Sequence, residues 1–412
     1  MKVGENMNEI YLKLAKEVET DVIRWRRDLH QCPELGLALP KTVAYVCKIL
    51  DELGIKYDHH YINGNGVVAH IEGLFKSREN QKNPVIALRA DMDGLPIHEE
   101  TDLSFASQQN MHACGHDGHT AILLGVAKLL QENRQSFSGI VKLIFQPGEE
   151  YPGGAKPMIE EGALRNPKPD RIFGFHIGKL SEEVPDGCIG TRSLAMMASM
   201  DRFQITLTGK GFHAAYPEKA KDPIIAMTQL VNAIQIIVSR NIRSLDAAVV
   251  SVTRIQGGFN QNIIPDQVEI EGTVRTFSDD IRRQIHQRLD QLASGISAAM
   301  QVDYDLIYDY KYPALINDPE VTQWTLDCLS QWFGPDQVIS IPDPVMGGED
   351  FAFYLREVPG TFIYLSNPGY IEGNFHGHHH PKFDIDESYL YKAVATFYGL
   401  TIEYFNQSSE SL

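Results

Sequence analysis

Ile140-Val-Lys-Leu-Ile-Phe-Gln-Pro-Gly-Glu-Glu150 is the stretch on which the fold turns. Ile140 to Phe145 is a short apolar run of strand length, closed by Gln146-Pro147-Gly148. Such a run reads as a strand buried on both faces. Val85 to Ala90 and Ile172 to Phe175 have the same character, each ending near polar residues. Helical segments separate the strands. Residues 8 to 30 carry Ile10, Leu14 and Val18 at four-residue steps, and Thr120 is placed to cap a helix whose apolar residues run from Ala121 to Leu130. Helices alternating with continuous apolar strands predict an α/β layer fold on a mainly parallel sheet.

The pattern changes near residue 197. Phe203, Ile205 and Leu207 alternate with polar residues, as do Val268 and Ile270. That alternation belongs to strands with one wet face. Helical stretches lie around 223 to 239 and 278 to 299. After about residue 310 the α/β pattern returns, with an apolar strand at Phe362 to Leu365 and a last helix from about Glu387. The expectation is a discontinuous α/β domain, residues 1–196 and 310–412, interrupted by an α+β domain at 197–309.

Bulk properties narrow the function. A chain of 412 residues is too long for one ordinary core, and 43% hydrophobic with 22% charged residues is globular composition. A formal net charge of -17 argues against a nucleic-acid partner, which needs a basic surface. No segment approaches the roughly 18 apolar residues of a membrane helix, and the N-terminal stretch has no signal-peptide core. Five scattered cysteines, Cys32, Cys47, Cys114, Cys188 and Cys328, do not form a disulfide framework, so a cytoplasmic location is expected.

The chemistry concentrates in a few places. In Met111-His-Ala-Cys-Gly-His-Asp-Gly-His119, Cys114 and His116 are two apart and in an extended segment point the same way. Thiolate and imidazole suit zinc-like ions, although a buried cysteine beside surface histidines would look alike. Glu149 and Glu150 follow a buried strand, where crevices of open α/β sheets form. Neighbouring side chains diverge, so one glutamate can bind metal while the other takes a proton from a metal-activated water; a solvated acidic pair is the plainer alternative. His176 ends a third strand. Phe375-His-Gly-His-His-His-Pro-Lys-Phe383 offers one more histidine or a polar loop. Asp91 and Asp93, also two apart at a strand end, can orient a ligating histidine, ligate directly, or simply form a turn. Cys114, His116, Glu150, His176 and one C-terminal histidine make five donors, enough for two ions if one bridges.

In that order these motifs resemble the M20 metallopeptidase clan, in its amidohydrolase branch of N-acyl-amino-acid amidohydrolases, hippurate hydrolases and auxin-conjugate hydrolases. The match spans nearly the whole chain. It includes Arg26-Arg-Asp-Leu-His-Gln-Cys-Pro-Glu-Leu-Gly36, Arg89-Ala-Asp-Met-Asp-Gly-Leu-Pro96, Gly174-Phe-His-Ile-Gly178, Gly209-Lys-Gly-Phe-His-Ala-Ala-Tyr-Pro217, Asn262-Ile-Ile-Pro-Asp266, Gly272-Thr-Val-Arg275 and His379-His-Pro-Lys-Phe383. The resemblance implies Cys114, His116, Glu150, His176 and His379 as metal ligands and Glu149 as general base. It implies a positioning acid at Asp91 or Asp93, and His213 as the oxyanion donor supplied by the small domain, often across a dimer. Asn262 and Arg275 would hold the substrate carboxylate. The small domain would be a ferredoxin-like lid that also forms a homodimer. Cys32, Phe212 and Glu218 depart from the family's usual residues, the last two beside His213.

The function so implied is metal-dependent hydrolysis of N-acyl (acetyl or aroyl) amino acids, with two divalent ions of zinc, manganese, nickel or cobalt. A dipeptidase or carboxypeptidase of the same clan is the near alternative, and a non-catalytic binding protein a remote one. No Gly-x-Gly-x-x-Gly follows a strand, which makes a dinucleotide enzyme a weaker reading still.

Overall fold

A computed structural model describes residues 7–75 and 83–410. The first six residues of the expected α/β domain and the last two of the chain lie outside them. Two compact units are present. One takes the residues up to Met196, Ile316–Val345 and those from Asp350; the other takes Met197–Leu315 and Met346–Glu349.

In the first unit, β1 (Lys56–His60), β2 (Gly66–Glu72), β3 (Val85–Asp91), β4 (Ile140–Gln146), β5 (Arg171–Gly178) and β6 (Ile189–Thr191) join two later strands, Val338–Ser340 and Gly360–Ser366. Their order is β1-β2-β4-β3-β5, then Gly360–Ser366, β6 and Val338–Ser340. The central four, from β4 to Gly360–Ser366, are parallel, and antiparallel pairings extend the sheet on both sides. β3 is buried along its whole length, which is why its sequence is apolar without alternation. Leu88 and Leu143 face each other in register and are wholly buried; burying each such side chain contributes about 1.5–3 kcal/mol.

Helix α1 (Glu19–His30) buries Val22, Trp25 and Leu29, and packs on α2 (His116–Glu132). The helix expected to start at Thr120 starts sooner. Gly115 takes φ +84, a left-handed turn that glycine adopts without strain, and the helix begins at His116. Thr120 sits inside it, its hydroxyl donating to the Asp91 carbonyl at 2.9 Å. A Cβ at Gly118 would stand 2.4 Å from Ile177 Cδ1, so glycine there lets the helix lie directly against β5. The C-terminal helix, Leu390–Glu410, follows a short turn at Glu387–Tyr389 and packs on α1 and α2.

The second unit is built from β7 (Met200–Thr208), α3 (Pro223–Ile234), β8 (Ala248–Gly257), β9 (Gln267–Thr276), α4 (Asp279–Met300) and β10 (Asp303–Tyr312). The antiparallel order β8-β9-β7-β10 is that of a ferredoxin-like unit. Asp222 caps α3, accepting the Ile224 N–H at 2.8 Å, and Ser278 caps α4. The helix expected to reach 239 ends at Ile234, and a separate wide turn covers Ile237–Asn241. Phe203, Ile205, Leu207, Ile270 and Val274 bury one sheet face against Leu230 of α3 and Leu289 of α4. No helix among the described residues is long and apolar enough to cross a membrane.

Candidate metal centre

The carboxyl ends of β3, β4 and β5 and the start of α2 converge in the first unit. β3 ends at Asp91 and hands on to Asp93; β4 hands on to Glu149 and Glu150; His176 lies near the end of β5; Cys114 and His116 flank Gly115. His379 joins from the C-terminal segment, its N–H donating to the Ala113 carbonyl at 2.8 Å. Cys114, His116 and His176 offer donor atoms within 4.8 Å of one another, and so do Cys114, Glu150 and His379. Cys114 is common to both groups. His116, Glu149 and Glu150 form a third. Cys114 Sγ lies 3.4 Å from His176 Nε2, and His379 Nε2 lies 3.0 Å from Glu150 Oε1. His379, rather than His378 or His380, is the C-terminal histidine in these groups.

The donors fit cations. His116 is buried, and neither ring nitrogen makes a well-formed hydrogen bond, the nearest acceptor to Nδ1 being Asp93 Oδ1 at 3.4 Å. Orphaned buried nitrogens are costly unless something else satisfies them. Burial alone would lower the His116 imidazole, but Asp91, then Asp93 and Glu150, carry it up to about 10. A pocket that draws a proton so strongly draws a divalent ion in its place. Burial pushes the Cys114 thiol well up, and Glu150, Glu149 and Asp91 push it the same way. Its thiolate therefore needs a cation beside it. Burial, with His119 and His378 nearby, drives His176 well down, so it stays neutral. Its Nδ1 donates to the Ile177 carbonyl at 2.8 Å, which leaves the Nε2 lone pair facing Cys114.

The two aspartates differ. Asp93 accepts the backbone N–H groups of Glu149 at 2.9 Å and Glu150 at 3.1 Å, and its Oδ1 is 3.4 Å from His116 Nδ1. Asp91 is buried beside Arg89 (2.6 Å) and His119 (2.5 Å), with His116 Nε2 3.8 Å away. Burial opposes the Asp91 carboxylate, but Arg89, His116 and His119 hold it well below its ordinary value. Arg89 also pairs with Asp350 at 2.8 Å.

His119 has no role in the sequence reading, and the structure gives it one. Its Nδ1 donates to Asp91 and its Nε2 accepts the Ile177 N–H at 3.0 Å. Both nitrogens are engaged, so although His119 lies among the donor atoms it has no lone pair free for a metal. It packs between His116 and His176, with ring centroids 5.3 and 4.5 Å away. Its place three residues after His116, on one face of α2, was the available signal. Behind His116, Asp117 is bound by Arg26 at 2.8 Å and by His30 at 2.7 Å, while His30 reaches Glu99 at 3.1 Å. The Arg26-to-Gly36 motif thus fixes the first turn of α2.

The second unit holds the remaining expected residues. His213 forms a two-residue strand with Ile263 opposite, and its Nδ1 accepts the Ala215 N–H at 3.1 Å. The Asn262 carbonyl accepts the Ala214 N–H at 2.9 Å, which sets Asn262 beside His213. Arg275 stands near the end of β9. Among the described residues, no hydrogen bond or ion pair joins it to either.

Comparison with known proteins agrees with the donor chemistry. The model of peptidase family M20/M25/M40 matches residues 87–403. An N-acetyl-L-cysteine deacetylase of Bacillus subtilis is 41% identical over 396 residues, covering 96% of this chain and 90% of its own. A thermostable carboxypeptidase of Saccharolobus solfataricus is 36% identical over 398 residues, 95% of this chain and 98% of its own. The solved structure of a dinuclear metal-binding M20 peptidase from Bacillus subtilis matches with a TM-score of 0.79 at 36% identity, covering 95% of this chain and 99% of that one. The donor groups and this dinuclear relative together support two divalent metal ions.

Proposed function

We propose that this chain, which belongs to peptidase family M20/M25/M40, hydrolyses the amide bond of N-acyl (acetyl or aroyl) amino acids to a carboxylate and a free amino acid. The observation that carries this reading is the placement of Glu149 beside the donors of a two-metal centre, in a relative of a deacetylase of N-acetylcysteine. Cys114, His116, Glu150, His176 and His379 would hold the ions, and Cys114 belongs to both donor groups that contain it. When bound, the two ions lower the pKa of a water and polarise the amide carbonyl. Thiolate and imidazole favour zinc-like ions among zinc, manganese, nickel and cobalt.

Glu149 takes the proton of the attacking water and delivers it to the leaving nitrogen. Asp93 fixes the backbone of both glutamates and the ring of His116; Asp91, clamped by Arg89 and His119, braces the imidazoles from behind. His213 donates to the developing oxyanion. Asn262 and Arg275 receive the substrate carboxylate. The first unit is the catalytic domain, and the second, whose start at 197 follows the sequence pattern but which runs on past 309 to Leu315, is a lid that pairs two copies as a homodimer. β8, at the edge of the lid sheet, exposes Val249 and Ile255 for that contact. All five cysteines are free, which suits the cytoplasm.

The carboxypeptidase relative keeps a peptidase reading in play. Stripped protein reloaded with each of the four metals is assayed in parallel on N-acetyl amino acids and unblocked dipeptides. Faster release from the N-acetyl compounds is expected; turnover of dipeptides alone refutes the proposal.

A further inference from the structure

The face of the second unit's sheet that the helices leave open carries a groove of about 480 Å³, lined among others by Arg202, Glu271, Thr273, Arg275 and Asp309. Arg202 on β7 faces Thr273 of β9 in the ladder, so Arg275, two residues further along β9, is its diagonal neighbour. Diagonal neighbours in a sheet stand about 7–8 Å apart, within reach of two long side chains.

The charges of this groove are unevenly matched. Glu271 is bound by Arg254. Asp309, directly opposite Arg202 in the ladder, pairs instead with Lys311 at 2.5 Å. Asp201, on the other face, is bound by Arg282 and Tyr308. Both acids of the groove are therefore engaged with other cations. Among the described residues neither the Arg202 nor the Arg275 side chain has a hydrogen bond or ion pair, and Arg275 Nη1 is buried with no partner. Burial lowers the Arg275 guanidinium; Asp201 opposes that and Arg202 adds to it. A half-buried cation left unpaired beside a second cation is unfavourable until an anion arrives. In a chain of net charge -17, two unmatched guanidiniums side by side make a local exception.

We infer that Arg202 and Arg275 together form a receptor for two carboxylates, which makes N-acyl derivatives of acidic amino acids the preferred substrates. This rests on the proposed function, in which Arg275 holds the substrate's α-carboxylate; Arg202 then takes the side-chain carboxylate. Guanidinium forks suit carboxylates, and a neutral side chain would leave Arg202 as unmatched as before.

The test compares N-acetylglutamate with its neutral isostere N-acetylglutamine on metal-loaded enzyme, together with inhibition by glutarate against butyrate. Wild-type enzyme should favour N-acetylglutamate. In Arg202→Gln the ratio of kcat/KM between the two should fall about fivefold, the size of a partly exposed charge contact, through KM rather than kcat. Arg202→Glu should lower the ratio further. An unmoved ratio in both variants overturns the inference. So does a change of oligomeric state on sedimentation with the ratio unmoved, which makes the groove a contact between copies. If no N-acyl amino acid, acetyl or aroyl, is hydrolysed under any metal, the proposed function fails on its own. Glutarate titration of the metal-loaded protein then decides this inference: weaker binding to Arg202→Gln supports it, and equal binding overturns it.

Discussion

Asp93 accepts the backbone N–H of Glu149 at 2.9 Å, so the residue proposed as the base is held by its main chain. The same aspartate receives the Glu150 N–H at 3.1 Å and stands 3.4 Å from His116 Nδ1. One carboxylate thus sets the register of both glutamates and of an imidazole.

Replacing Asp93 by Asn should loosen that register. An amide can accept one N–H, but its NH2 end would face a second N–H or the His116 ring. Metal affinity is expected to fall about 10–100-fold, the usual effect of losing a group that orients a ligand. Competition with a chelator measures it, and an unchanged dissociation constant refutes the role of Asp93.

Glu149→Gln should keep both metals and lose turnover by about 10²–10⁴-fold. The amide retains the shape but cannot take a proton. Elemental analysis beside steady-state kinetics separates the two effects. Wild-type-like turnover in this variant would sink the mechanism.

Cys114 belongs to both donor groups that use it, so its loss should affect both ions. Cys114→Ala is expected to lower the metal-to-protein ratio, with activity following. A ratio equal to wild type by elemental analysis would remove Cys114 from the ligand set.

Lys142 offers a pH test away from the centre. Its buried ammonium donates to the carbonyls of Ala163 at 2.9 Å and Arg165 at 2.6 Å, and burial lowers its pKa from 10.5 to about 8. Between those values the unfolded chain binds the proton and the folded chain does not. Stability contributed by this group therefore rises with pH across that window, by on the order of 1 kcal/mol once solvent screening is allowed for. Urea midpoints recorded from pH 7.5 to 10.5, pH values chosen to bracket the window at about its two ends, should show a rise that Lys142→Met lacks. Parallel curves for the two proteins would exclude it.

The strands and the donors are legible in the sequence because each leaves a local mark. β3, β4 and β5 are continuous apolar runs, and each ends next to a residue with metal or proton chemistry. What the sequence hides is decided by three-dimensional pairing. Asp350 joins Arg89, 261 positions away, and no spacing records that. The start of α2 is misread because Thr120 has the composition of a cap while its hydroxyl serves Asp91. The choice between Asp91 and Asp93 needs the backbone N–H groups of Glu149 and Glu150, which are invisible in side-chain patterns. Arg202 reads as one more polar residue on an alternating strand until its neighbours are seen to be paired elsewhere.

His379 leaves the ribosome about 265 residues after Cys114, which at about 5–20 residues per second is roughly 13–53 s later. Cys114, His116, Glu150 and His176 emerge within 62 residues of one another, and the second unit is synthesised before His379. If His379 is a ligand, as proposed, the full donor set exists only late in synthesis. On the proposed ligand set a chain cut short of His379 would lack its last donor, so its metal content would report on completeness.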